Sequence, residues 1–131
     1  MEYHFSIPGT LPDLNDYLHA ERQTIRNRSK FTTKGNTLKQ INQMAIIREI
    51  RSQLKGLHID NQIHITYLFV EKNKRRDKDN VASFAMKVIQ DALVRSGTID
   101  NDGWKNIEGF ICDFAVDKEN PRIEVILREV S

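Results

Sequence analysis

Residues 62–97 read QIHITYLFVEKNKRRDKDNVASFAMKVIQDALVRSG, and the change of pattern along them decides the fold class. The opening run, Ile63-His64-Ile65-Thr66-Tyr67-Leu68-Phe69-Val70, is β-branched and aromatic and becomes apolar on both faces toward its end. That predicts a central strand covered on both sides. His64 within it reads as a packed or hydrogen-bonded residue, not a ligand. After the charged stretch 72–80 the period switches to that of a helix, with Val81, Phe84, Ala85, Val88, Ile89 and Ala92 on one stripe. Asp79 stands where an N-cap belongs and Gly97 where the helix should end.

Working outward toward the N-terminus, Thr37 and Gln40 have capping-box spacing, and Leu38, Ile41, Met44, Ala45, Ile47, Ile50 and Leu54 keep near-helical spacing up to Gly56. Residues 9–35 show no sustained period and predict a long mobile loop, a kind of segment that is uncommon without a function. Its cations Arg22, Arg26, Arg28, Lys30 and Lys34 share the stretch 21–34 with one acid, Glu21, so phosphate is the natural partner. Tyr3, Phe5 and Ile7 alternate up to Pro8-Gly9, which predicts a first strand, parallel and adjacent to the central one across a crossover. Toward the C-terminus, Phe110, Cys112, Phe114 and Val116 alternate, residues 118–121 turn, and Ile123, Val125 and Leu127 alternate again, predicting a closing hairpin. The sum is an α/β chain of order β-α-β-α-β-β, with a small mixed sheet of about four strands and two main helices.

At 131 residues the chain is one domain, 1–131. With 39% hydrophobic and 29% charged residues, disordered and repeat classes are excluded. No apolar run approaches the roughly 20 residues of a spanning helix, and Met1-Glu2-Tyr3-His4 lacks a secretory layout, so no membrane association and a cytoplasmic location are expected. The single Cys112 and the scattered His4, His19, His58 and His64 give no structural zinc spacing. No phosphate-cradling glycine loop and no Ser, His, Asp arrangement is present, which leaves nucleotide hydrolysis and acyl transfer without support.

The net charge of +2 hides an uneven layout: residues 1–19 carry three acids and no Lys or Arg, 20–78 carry 14 bases and five acids, and 79–131 carry six bases and ten acids. A basic middle between acidic ends suits a protein that grips polyphosphate with one surface and divalent cations with another; a solvated helix face gives the same count. Within the densest stretch, Lys72, Lys74, Arg75 and Arg76 precede Asp77 and Asp79. Two carboxylates two apart in extended chain face one way and offer hard oxygen ligands to Mg²⁺, beside a helix N-terminus that favours anions. Asp-x-Asp by itself is as well explained by caps and turns. Asp100-Asn101-Asp102 forms a second cluster that fails as an EF-hand, because Thr98 and Gly109 occupy the first and twelfth places. Three aspartates would suffice for metal-assisted phosphodiester hydrolysis. A helix over 80–96 is about 25 Å long and the five steps from Gly97 return at most roughly 17 Å, so Asp102 meets Asp77 and Asp79 poorly within one chain. A two-fold dimer with this helix antiparallel to its copy would bring them together twice.

The ordered series Arg76-Asp77-Lys78-Asp79-Asn80, Lys87, Asp91-Ala92-Leu93, Gly97 and Asp100-Asn101-Asp102 resembles the RusA-type Holliday junction resolvases of bacteria and their prophages. Weaker similarity covers Pro8 to Tyr17 and, in outline, nearly the whole chain. The resemblance implies a Mg²⁺-dependent homodimeric endodeoxyribonuclease, for which Mn²⁺ could substitute, that nicks two opposing strands of a four-way junction. It implies metal-binding, catalytic Asp77, Asp79 and Asp102, an active-site Lys87, and a metal site completed by the dimer. In the best known members the lysine lies four residues after the second aspartate; here Ser83 holds that place and Lys87 lies one turn further on. Lys87 could equally pair with Asp91 on the helix surface. Asp91 reads as a salt-bridge partner, Asp100 as a turn residue able to assist a second ion, and Trp104 as a packing residue or a base wedge. The competing functions are a non-catalytic module for branched DNA, and a metal-dependent nuclease for flaps, forks or RNA.

Overall fold

The computed structural model describes the backbone of residues 1–27 and 30–130 and the side chains of residues 1–23 and 33–130. The elements run β1 (Glu2–Pro8), α1 (Leu14–Glu21), β2 (Thr24–Asn27), β3 (Lys30–Thr33), α2 (Lys34–Leu54), β4 (Ile63–Glu71), α3 (Lys78–Arg95), β5 (Ile107–Val116) and β6 (Arg122–Glu129). Four strands form a mixed sheet in the order β1-β6-β4-β5, and β2 pairs with β3 separately. The chain is thus a small α/β fold whose main elements follow the expected order. Among the described residues, no helix is long and apolar enough to cross a membrane.

One face of the sheet carries the core. Ile63, Ile65, Tyr67 and Phe69 of β4 are fully buried with Phe5 of β1 and Val125 and Leu127 of β6, under Ile46 and Ile50 of α2 and Val88 and Ile89 of α3. The alternate residues His64, Thr66 and Leu68 are only half-buried, so β4 is covered on one side instead of two. The opposite face mixes the apolar Leu68, Ile111 and Ile126 with a charged group in which His4 and Arg122 both bridge to Glu124 at 3.3 and 3.5 Å. This one-sided pattern follows from the antiparallel β1-β6-β4 majority of the sheet. The outer edge at β1 is closed by a side chain: Gln53 of α2 accepts from the Ser6 amide and donates to the Ser6 carbonyl, both at 2.8 Å.

Pairing departs from sequence order at two places. β1 and β4 run in the same direction but are separated by β6, which is antiparallel to both. β5 and β6 do not form a hairpin: β5 is parallel to β4 on one side and β6 antiparallel to it on the other. The connection 117–121 steps across the end of β4, where the Asp117 amide donates to the Glu71 carbonyl at 2.8 Å. Alternation identifies a strand but carries no information on its neighbour.

The segment 9–35, expected as a loop, holds a helix and a strand pair in its described residues. α1 is nucleated by a reciprocal cap in which the Asp16 amide donates to Asp13 at 2.9 Å and the Asp13 amide to Asp16 at 3.1 Å. It has no fully buried residue, and its short apolar stripe of Leu14, Tyr17 and Leu18 reaches the core through Tyr17, whose ring lies 5.3 Å from that of Phe84. α2 starts earlier than the Thr37 spacing suggests: Thr33 is the N-cap and accepts from the Asn36 amide at 3.0 Å. α2 closes through left-handed Lys55 and Gly56, and α3 through left-handed Gly97.

Candidate functional site

The charged segment between β4 and α3 borders a cleft of about 550 Å³, walled by Asn73, Lys74, Asp77 and Lys78 on one side and Phe114 and Val116 of β5 on the other. It lies at the C-terminal end of the parallel β4–β5 pair, where the crossover helix begins. Arg76 builds its floor. This guanidinium grips Glu71 with two nitrogens at 2.9 and 3.0 Å and donates the third to the Leu11 carbonyl at 2.8 Å. Glu71 holds its charge firmly, raising its pKa above the ordinary arginine value despite partial burial. Arg76 is therefore a strut between the end of β4 and the start of the 9–13 segment. Lys72, Lys74 and Arg75 remain exposed at the rim, and Lys78 places its ammonium 5.4 Å over the Phe114 ring.

The N-cap of α3 is Asp77, two residues before the position read from the sequence. Its backbone is extended (ψ 144°), and its carboxylate makes no capping hydrogen bond. Asp79 lies inside the first turn, so the pair straddles the helix start instead of sharing one extended strand. Both side chains are exposed, and the positive end of α3 favours their charge and that of a phosphate.

Asp102 sits elsewhere. Lys87 on the exposed face of α3 donates to Asp91 at 3.1 Å and reaches Asp102 at 3.8 Å. Asp91 also meets Lys39 of α2 at 3.6 Å. The Asp91 carboxylate first, and Asp102 after it, hold Lys87 above the usual lysine range, so it is cationic at neutral pH. Lys87 follows Asp79 by eight residues, about 12 Å along the axis, which places Asp102 well away from the first turn. Among the described residues, Asp77, Asp79 and Asp102 do not converge within one chain; the group of three metal-ligating side chains that does converge is His58, Asp60 and Asp100. Asp91 keeps the salt-bridge role read from the sequence, and Asp100 bonds His58 instead of sharing a site with Asp102.

Of the cations expected to hold DNA, Arg22 ends α1 and Lys34 begins α2, and both are exposed. Arg28 lies outside the described residues, as do the side chains of Arg26 and Lys30. Trp104 is not packed on the sheet: it is 96% exposed, with Phe110 and Ile111 of edge strand β5 each 52% exposed. Cys112 is half-buried against Met86. A comparison with protein-family models and a search of curated proteins find no match to this chain.

Proposed function

We propose that the protein is a Mg²⁺-dependent endodeoxyribonuclease that resolves four-way DNA junctions by paired symmetric nicks, acting as a homodimer. The observation that carries this reading is the pair of acidic stations on α3. Asp77 and Asp79 stand exposed at the helix start, where Asp77 is released from capping, and Asp102 stands beside Lys87 more than two turns on. A two-fold axis perpendicular to α3, which sets the helix antiparallel to its copy, would give each site Asp77 and Asp79 from one subunit and Asp102 from the other. The exposed Phe110, on the helix-covered side of edge strand β5, and Trp104 before it give a second copy something to cover.

In this reading Asp77, Asp79 and Asp102 supply the hard oxygen donors that suit magnesium, with water and substrate phosphate completing the shell. Bound there, the ion would polarise the scissile phosphate and supply hydroxide. Lys87, cationic at neutral pH, stands beside Asp102 to meet developing negative charge on phosphate oxygens. Lys72, Lys74 and Arg75 draw the backbone into the cleft, while Arg76 holds the rim in place.

The test is a mobile four-way junction incubated with Mg²⁺, then with EDTA, for the wild type and Asp79→Asn. Symmetric nicks that disappear in EDTA and in the variant are expected, with junction binding retained, because removing negative charge beside phosphate does not weaken affinity. Tight binding with no cleavage by the wild type would establish a non-catalytic branched-DNA module instead, and preferential cutting of flaps, forks or RNA in competition would reassign the substrate.

A further inference from the structure

We propose that the groove between α2 and α3 is a docking site for a backbone phosphate of DNA, held by Arg95 and Gln43. The inference takes from the reading above only that the ligand is DNA; it does not require cleavage. The groove encloses about 350 Å³ and is walled by Lys39 and Gln43 of α2, by Asp91, Val94 and Arg95 of α3, and by Asp102 beyond it.

Two donors in its wall are left over after the internal contacts. Gln43 is only 5% exposed, and its Oε1 accepts from the Arg95 guanidinium. That bond fixes which way the amide points, and among the described residues its nitrogen then donates to nothing. No sealed polar atom among the described residues lacks a partner, so this nitrogen is not closed off in the core and opens on the groove. An amide drawn this far out of water and left half-used costs stability unless an acceptor meets it. Arg95 is the second case: its hydrogen bond goes to Gln43, and among the described residues no carboxylate lies in salt-bridge range of it. The rest of its planar fork stays available.

The carboxylates of the groove are engaged elsewhere. Asp91 meets Lys87 at 3.1 Å and Lys39 at 3.6 Å, and Asp102 meets Lys87 at 3.8 Å. Three cations, Lys39, Lys87 and Arg95, thus stand over two carboxylates, which leaves the positive charge of Arg95 in excess. A guanidinium fork beside an amide N–H calls for a ligand that is rich in acceptors and negatively charged, and the free oxygens of a phosphodiester are both. Because Asp102 borders the groove, a phosphate held there flanks the site to which Asp102 contributes, and Arg95 and Gln43 act as positioning residues. Neither stands out in sequence, since Gln43 lies inside α2 and Arg95 in the last turn of α3, and only packing joins them.

Binding of the full-length protein to a four-way junction in EDTA, followed across a salt series, tests the site without cleavage. Arg95→Gln should weaken binding about tenfold at low salt and lower the salt slope by roughly one. Gln43→Glu keeps the shape and still accepts from Arg95, so it should melt like the wild type; yet it sets a carboxylate against the incoming phosphate and should weaken binding at least as much. If Gln43 merely locked Arg95 in place, this variant would lock it harder and bind like the wild type, which would overturn the site. Lys55→Gln, exposed at the far end of α2, should leave the slope unchanged, and an equal fall there would reduce the effect to general surface charge. Wild-type binding by Arg95→Gln overturns the proposal by itself, whether or not Gln43→Glu folds. Stabilisation by millimolar inorganic phosphate at matched ionic strength, lost in Gln43→Glu while junction binding stays normal, would assign the groove to free phosphate instead. Weakened binding in both variants of a protein that cuts nothing would refute the nuclease and keep the groove, whereas cutting by the wild type with normal binding in both variants would do the reverse.

Discussion

Arg76 shows how one residue in a basic run differs from its neighbours. Lys72, Lys74, Arg75 and Arg76 look alike in sequence, but only Arg76 has a carboxylate, Glu71, and a backbone carbonyl, Leu11, placed to take its planar fork. Its role is to hold the cleft together. Arg76→Ala leaves the half-buried Glu71 and the Leu11 carbonyl without their partner and is expected to cost about 2–3 kcal/mol, read as a lower urea midpoint. Arg76→Lys should recover only part of this, since an ammonium cannot reproduce the bidentate grip. Lys74→Gln should leave stability within about 0.5 kcal/mol and lower the salt slope of junction binding by roughly one. A stability loss in Lys74→Gln matching that in Arg76→Ala would contradict this division of roles.

Among the elements, β4 and α3 are tied by a polar link inside the core: Gln90 donates to the Tyr67 hydroxyl at 3.0 Å. Burial pushes the Tyr67 phenol well above its ordinary range, more than the Gln90 bond lowers it. A pKa raised by folding means that the folded state favours the protonated form, so stability is intact below the ordinary value of 10.0 and declines as pH rises beyond it. Tyr67→Phe is expected to flatten that alkaline decline, measured as urea midpoints from neutral pH upward; an unchanged slope would assign it to other groups. β4 and α3 were legible because their periods are long and clear. α1 was not, since its eight residues carry only a short apolar stripe, Leu14, Tyr17 and Leu18, none of it fully buried. The neighbours of β5 and β6 were not either, because a short connection can step over a strand end as readily as it can turn a hairpin.

At the scale of the molecule, the separation of Asp102 from Asp77 and Asp79 is a direct consequence of an 18-residue helix, about 27 Å long. A shared site makes a prediction that a site within one chain does not. Asp79→Asn and Asp102→Asn are each expected to be inactive alone, yet mixing and exchanging subunits should restore cleavage. A heterodimer of the two holds one site with both substitutions and one with neither, so about a quarter of the wild-type sites should return. Products nicked on one strand should dominate. Absence of any recovery in subunits shown to exchange would place the three carboxylates in separate roles.

The sequence by itself determined the α/β class, the four main strands, the two long helices and the acidic residues bordering the second, since each rests on local period, capping and chain length. Tertiary structure decided the rest: which strands are neighbours, that Arg76 is a strut, that Lys87 stands between Asp91 and Asp102, and that His58 meets Asp60 and Asp100. These depend on contacts between positions remote along the chain, which are set by how the helices pack on one face of the sheet and leave no periodic trace in the order of residues.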